Sequence, residues 1–147
     1  GAITDLNGAS IGIEIDNDGH EPYTEAQFAA IVRLLDDLTA RLKIPKSQVI
    51  GHSDLAPTRK DDPGPHFPWR RLAEAGYGRW PAADAAAAPA GFDGWLAMSA
   101  LGYSLKDRGA ALRAFRMHFR ARDDGAKVAA ELDPEDLRIL HALVGTR

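Results

Sequence analysis

The sequence predicts an α/β unit in its first half and a small all-helical unit in its second. Apolar residues alternate with other residues at 10–15, which is typical of a strand, and an apolar stripe along residues 24–43 is typical of an amphipathic helix. Three stretches beyond residue 91 also have helical spacing. We therefore predict one domain at residues 1–81, a linker at 82–90 and a second domain at 91–147.

The predicted strand has isoleucine at positions 11, 13 and 15, so that Gly12 and Glu14 point to the opposite face. The simplest interpretation of Glu14 is a solvent-facing side chain. Gly12 beside it leaves room for a bulky group, which favours a cleft on that face. Val49 and Ile50 form a second short apolar segment, where we expect a further strand.

The helix predicted at residues 24–43 begins with a capping box, because Thr24 is followed three residues later by Gln27. Its apolar side chains step by three and four residues, and Pro45 ends it. A helix with one apolar face should pack on a sheet. A proline-punctuated loop is expected at residues 52–65, and a short helix at residues 68–75.

The stretch between the two predicted domains reads as a semi-rigid linker. Residues 82–90 contain seven alanines, lie between Pro81 and residue 91, and show no apolar periodicity. Beyond them, Asp133 and Pro134 are a typical cap and first residue of a helix. We expect helices at 92–101, 107–119 and 134–144, around a core of Trp95, Leu112, Phe115, Phe119 and Leu140.

Composition excludes several classes of function. The 147 residues include 18 Lys and Arg against 21 Asp and Glu, a net charge of −3, so we expect no nucleic-acid partner. No run approaches the roughly 18 apolar residues of a membrane span, and none is predicted. The chain has no cysteine, so a metal would have to be held by histidine and carboxylate side chains.

The predicted loop at 52–65 concentrates reactive side chains within eleven positions: His52, Asp54, Lys60, Asp61 and Asp62. An imidazole and a carboxylate are typical zinc ligands, and catalytic zinc sites use three protein ligands and one open position. Pro63 restricts the backbone of the residue before it, which favours a stiff presentation of that carboxylate. A solvated, charged surface loop is the alternative explanation of the same residues.

For Asp54 and for the histidines outside the predicted loop, the sequence predicts structural roles. Residues 52–54 do not form a hydrolase triad, because sequence neighbours cannot align nucleophile, base and orienting group. Asp54 is instead predicted to cap the loop. Two histidines are placed on the surface or at a pocket rim, His20 and His66. Two more are placed on polar faces of the C-terminal helices, His118 and His141.

Four motifs stand in order between Ile3 and Trp80: Ser-Ile-Gly-Ile-Glu at 10–14, Tyr-Thr-Glu-Ala-Gln at 23–27, Gly-His-Ser-Asp-Leu-Ala-Pro at 51–57 and Arg-Lys-Asp-Asp-Pro-Gly-Pro at 59–65, with Phe67 and Trp69 after them. In order and spacing they closely resemble the type 2 N-acetylmuramoyl-L-alanine amidases, zinc enzymes related to the peptidoglycan recognition proteins. Residues 92–143 look like the three-helix peptidoglycan-binding domain that often follows such an amidase. Arg116 stands where that domain often has glutamine, and residues 123–131 depart from its usual loop.

The resemblance implies a mixed β-sheet flanked by helices for the first domain. It makes His52 and Asp62 two ligands of a Zn²⁺ cofactor, Glu14 the catalytic carboxylate and Lys60 the cation beside the metal. The implied reaction is hydrolysis of the amide bond between the lactyl carbonyl of N-acetylmuramic acid and L-alanine. The implied substrate is peptidoglycan or a muropeptide, and the implied location is the bacterial envelope or periplasm, with the cytoplasm as the alternative.

One expected feature of the family is missing from the sequence. The family carries a further zinc-binding histidine on an early strand, and no histidine precedes residues 10–14 here. We expect that ligand and several strands upstream of Gly1, in a longer protein of which this chain is the C-terminal portion. His20 lies in a turn that gives it no motif reason to reach the metal. A non-catalytic muropeptide-binding protein with an incomplete zinc site is therefore the second hypothesis.

Overall fold

The computed structural model describes residues 6–127 and 129–145, and every regular element within them is helical. A short 3₁₀ turn at Lys46–Gln48 follows the longest helix. The α-helices are α1 (Leu6–Ala9), α2 (Glu25–Leu42), α3 (His52–Leu55), α4 (Trp69–Glu74), α5 (Gly94–Leu101), α6 (Arg108–Arg120) and α7 (Pro134–Gly145).

The predicted α/β fold with a mixed sheet is wrong for this structure, because the described residues contain no strand. Residues 10–17 run as irregular chain along α2, with 48% of Ile11 and 36% of Ile13 exposed. Val49 and Ile50 likewise form no strand. An alternating pattern shows only that a segment suits a sheet, whereas a strand also needs a neighbouring strand for its backbone hydrogen bonds. The described residues provide no such neighbour.

The predicted long helix is confirmed as α2, together with its capping box. The Thr24 hydroxyl accepts the Gln27 N–H at 3.2 Å, and the Gln27 side-chain oxygen accepts the Thr24 N–H at 2.7 Å. The helix ends before Lys43, which adopts a left-handed conformation. Its apolar stripe is buried at Ile31 and Leu35 in a cluster that also contains Phe67, Trp69, Leu72 and Tyr77.

The three C-terminal helices are also confirmed and enclose a second apolar cluster. Helices α5 and α7 pack together, and α6 contributes Leu112 and Phe115 to the same core. Asp133 caps α7 as predicted, since its side chain accepts the N–H groups of Glu135 and Asp136. Helix α6 packs in addition on α3 and α4, so contacts cross the proposed linker at 82–90. The division into domains at 1–81 and 91–147 stays a prediction.

Replacing Gly94 with alanine is expected to destabilise the C-terminal cluster by about 1–3 kcal/mol, the usual cost of overpacking. A Cβ at Gly94 would lie 2.6 Å from a methyl group of Leu132 and 2.6 Å from one of Leu137. Urea unfolding measures the change in free energy. Gly145→Ala is the matched control, because nothing lies within 4 Å of a Cβ at that helical glycine. Equal effects of the two substitutions would contradict the prediction.

Candidate active site

The loop that follows Gly51 is tied at both ends. Gly51 is the cap of α3, and its N–H donates to the Asp54 carboxylate at 2.8 Å. The Ser53 N–H donates to the Asp62 carbonyl at 2.9 Å, which closes the loop. The capping role predicted for Asp54 is thus confirmed. The predicted irregular loop begins instead with one turn of helix, α3.

The closed loop brings together the two predicted metal ligands. His52 Nδ1 lies 3.0 Å from Asp62 Oδ2, and the two side chains are 46% and 57% exposed. Imidazole nitrogen and carboxylate oxygen are both zinc donors, so the pair fits two of the three ligands of a catalytic zinc site. Within residues 6–127 and 129–145, however, no group of three or more potential ligands comes together.

The side chains of the two predicted catalytic residues make no hydrogen bond or ion pair with the described part of the chain. Lys60 is exposed; its backbone N–H donates to the Ala56 carbonyl, and its ammonium pairs with no described carboxylate. Glu14 is exposed rather than buried, and it lines a shallow cavity of about 230 Å³ against α2, beside Ile31 and Leu34. Among the described residues, no hydrogen bond or ion pair connects Glu14 or Lys60 to His52 or Asp62.

Tyr23 supports the loop from the other side. Its hydroxyl donates to the Pro63 carbonyl at 3.1 Å, and its ring meets the edge of the Phe67 ring with centroids 5.1 Å apart. Burial, and then the negative charge of Asp62, raise the pKa of Tyr23, so its hydroxyl remains a donor at neutral pH. Sequence analysis placed Tyr23 in a family motif but gave it no role.

His118 corrects a second prediction, because it lies in the interior and not on a polar face. Only 6% of the residue is exposed, and Nδ1 lies 2.6 Å from Asp54 Oδ2. Its ring is stacked between Trp69 and Phe119, at centroid distances of 3.9 and 4.1 Å. Sequence reasoning also missed Tyr103, whose hydroxyl donates to Asp54 Oδ1 at 2.6 Å.

The other histidines occupy positions consistent with the predictions. His20 and His66 are exposed, and His141 is partly buried with its ring against the edge of Phe92.

An open cavity of about 300 Å³ lies where α4 and the end of α6 meet. It is lined mainly by aromatic and cationic side chains, among them Phe67, Trp69, Arg70, Trp80, Phe119 and Arg120.

Residues 1–65 match the family model described as N-acetylmuramoyl-L-alanine amidase, so this part of the chain is similar to that family. The chain is similar to N-acetylmuramoyl-L-alanine amidase AmiD of Escherichia coli K12, with 36% identity over 166 residues that cover 96% of this chain and 59% of AmiD. It is also 45% identical over 66 residues to the 1,6-anhydro-N-acetylmuramyl-L-alanine amidase AmpD of Enterobacter cloacae, a match that covers 45% of this chain and 35% of AmpD.

Solved structures give the same relationship. One is the complex of E. coli AmiD with the substrate anhydro-N-acetylmuramic acid-L-Ala-D-γ-Glu-L-Lys, at a TM-score of 0.70 and 34% identity, covering 84% of this chain and 53% of AmiD. Another is AmpDh3 from Pseudomonas aeruginosa in complex with anhydromuramic pentapeptide, at a TM-score of 0.70 and 32% identity. This match covers 89% of this chain and 58% of AmpDh3. The chain thus spans little more than half the length of these relatives. None of the described helices is long and apolar enough to cross a membrane.

Proposed function

We propose that this chain carries the zinc-binding loop of an amidase that cleaves the bond between N-acetylmuramic acid and L-alanine in peptidoglycan or muropeptides. The observation that carries the proposal is the pair formed by His52 and Asp62. His52 and Asp62 belong to the motifs at 51–57 and 59–65, and their side chains lie 3.0 Å apart on one closed loop. The relatives named N-acetylmuramoyl-L-alanine amidases support the choice of substrate, and so do the solved complexes of AmiD and of AmpDh3 with anhydromuramic peptides.

The residues divide into metal ligands and groups that handle protons and charge. His52 and Asp62 would hold Zn²⁺, which when bound lowers the pKa of water and polarises a carbonyl. Glu14 would accept the proton of the attacking water and deliver it to the L-alanine nitrogen as the carbon–nitrogen bond breaks. Lys60 would stabilise the negative charge that develops on the lactyl carbonyl oxygen. Tyr23 would hold the backbone beside Asp62 through the Pro63 carbonyl.

A second candidate function is muropeptide binding without hydrolysis. The observation that favours it is the ligand count, because the described residues bring only His52 and Asp62 together and no cluster of three forms among them. Glu14 is exposed and makes no hydrogen bond to His52 or Asp62, which also favours binding without hydrolysis. Retention of Glu14, Lys60, His52 and Asp62 in one chain favours the enzyme, since a protein that only binds has no need of all four.

The two functions differ in a direct assay. The 147-residue chain is incubated with soluble anhydro-N-acetylmuramyl tripeptide and Zn²⁺, and products are separated by chromatography. The amidase proposal predicts free tripeptide with a new L-alanine amino group, and none after chelation of the metal. Calorimetric binding of the muropeptide without product would support the second function instead. Neither binding nor product would reject both.

Glu14→Gln is expected to lower kcat by about a hundredfold, because general acid–base groups contribute about 10²–10⁴-fold. The amide has the same size as the carboxylate but cannot take the proton. Zn²⁺ affinity, measured by competition with a chelating dye, should stay unchanged. Glu21→Gln is the control, because Glu21 is exposed just beyond residues 10–17 and has no predicted role. Weakened Zn²⁺ binding by Glu14→Gln would mean that Glu14 acts as a ligand.

A further inference from the structure

The carboxylate of Asp54 is a junction between the metal-binding loop and the C-terminal helices. Its Oδ2 atom accepts the Gly51 N–H at 2.8 Å from within the loop. The other two contacts come from distant residues: the Tyr103 hydroxyl at 2.6 Å from Oδ1, and His118 Nδ1 at 2.6 Å from Oδ2. Asp54 itself is only 8% exposed. A buried carboxylate of this kind is held by all its donors together, and loss of one leaves it poorly satisfied.

Both distant donors are themselves fixed in place. The His118 ring is stacked between Trp69 and Phe119, so its orientation toward Asp54 is set by packing as well as by hydrogen bonding. The Tyr103 ring lies edge-on to Phe115. Burial, reinforced by the nearby carboxylate of Asp54, raises the pKa of Tyr103 well above its usual value, and its hydroxyl therefore remains a donor.

The turn that presents His52 depends on Asp54. Helix α3 has four residues, too few to be stable by its own hydrogen bonds. Its first turn is held by two contacts, Gly51 N–H to Asp54 and Ser53 N–H to the Asp62 carbonyl. A Cβ at Gly51 would lie 3.0 Å from Asp54 Oδ2 and 3.1 Å from Trp69. The atoms around Gly51 are therefore closely packed. Because Asp54 holds this turn, the orientation of the His52 side chain depends on the position of the Asp54 carboxylate.

We propose that Tyr103 and His118 are positioning residues for the metal-binding loop: acting through Asp54, they fix the turn that directs His52 toward Asp62. The catalytic consequence rests on the proposed function, whereas the loop ordering does not. A second contact supports the same arrangement, since the Arg113 guanidinium lies 3.6 Å from Asp61 on the loop. The C-terminal helices are in this view part of the active-site scaffold.

Matched variants separate positioning from general stabilisation. Tyr103→Phe removes the hydroxyl that donates to Asp54, and His118→Gln leaves no donor at the position of Nδ1, because the longer glutamine side chain places its amide nitrogen near the position of Nε2. His118→Asn should restore function in part, because the asparagine amide nitrogen can take the place of Nδ1. Tyr77→Phe is the control: that tyrosine is equally buried and its hydroxyl donates to Asp36, outside the metal-binding loop, at 2.5 Å.

The experiment uses the whole 147-residue chain and reads three quantities for each variant. Hydrogen exchange at the Gly51 and Ser53 amides should accelerate at least about tenfold in Tyr103→Phe and His118→Gln, and not in Tyr77→Phe. Zn²⁺ alone, titrated against a chelating dye, should bind about 10–100-fold more weakly in the same two variants. The Tm records global stability for comparison.

Two results would overturn the positioning role. One is unchanged exchange at Gly51 and Ser53 in Tyr103→Phe and His118→Gln. The other is exchange and Zn²⁺ affinity that change by the same amount in the Tyr77→Phe control, in proportion to Tm. A parent chain that neither binds Zn²⁺ nor cleaves muropeptide would reject the proposed function alone, because faster loop exchange in the two variants would still support the coupling.

Discussion

Replacing His52 with alanine is expected to lower muropeptide cleavage at least about a thousandfold and to abolish Zn²⁺ binding. A bound metal contributes several kcal/mol to the stabilisation of the transition state, and each 1.36 kcal/mol corresponds to about a factor of ten in rate. His52 and Asp62 form the only potential ligand pair on the closed loop for which the described residues show a direct contact. Product release is measured by chromatography, and bound zinc by atomic absorption after dialysis.

The control for this substitution is His20→Ala. His20 is an exposed histidine in a turn before α2, and its removal should change neither zinc content nor rate. Asp62→Asn should reproduce the effect of His52→Ala, because a neutral amide is a much poorer zinc ligand than a carboxylate. Zinc retained at full stoichiometry in both His52→Ala and Asp62→Asn would show that the metal binds elsewhere.

The helices could be predicted from the sequence because each carries its own signals. The capping box of Thr24 and Gln27 and the cap at Asp133 act within a few residues, and so does the apolar period of each helix. The strand at residues 10–15 could not be established in the same way. A strand's stability depends on a neighbour that the described part of the chain does not supply. Local information thus decided which predictions were right.

The same distinction between local signals and distant contacts explains which parts of the candidate site could be predicted from the sequence. His52 and Asp62 are ten residues apart in two neighbouring motifs, so the loop could be predicted from sequence. Tyr103 and His118 reach Asp54 from 49 and 64 residues away, and no local pattern indicates such a contact. Only the structure shows that α6 is buried at Ala111 and Ala114 as well as along its predicted apolar stripe. A helix buried on more than one face packs against partners on several sides.

The two departures from the peptidoglycan-binding pattern, Arg116 and residues 123–131, have a common explanation in the structure. The Arg116 guanidinium donates to Asp124 at 2.8 Å and to the Glu131 carbonyl at 3.1 Å, so the unusual loop supplies acceptors for the unusual arginine. Its strongest partner is Asp136 in α7, at 2.6 Å. The hydrogen bond that Arg116 donates to Asp136 is the main cause that raises the pKa of Arg116.

Asp136→Ala is expected to destabilise the chain by about 3–5 kcal/mol, the largest effect on stability that we predict. Asp136 is fully buried, accepts hydrogen bonds from Arg116 and from Arg120 at 2.7 Å, and accepts the Asp133 N–H at 3.0 Å. Its removal leaves the buried guanidinium of Arg116 with fewer acceptors and takes one partner from Arg120. Urea unfolding at neutral pH, followed by circular dichroism, measures the loss.

Glu135→Ala is the control for Asp136→Ala, one residue away on the same helical turn. Glu135 pairs with Arg138 at 2.8 Å on the surface, where such pairs contribute only about 0.3–0.5 kcal/mol. Both substitutions remove one carboxylate from the first turn of α7: a buried one with two arginine partners, Arg116 and Arg120, and an exposed one with a single partner, Arg138. If Asp136→Ala cost no more than Glu135→Ala, the buried ion network would not be what holds α6 and α7 to Asp124 and Glu131.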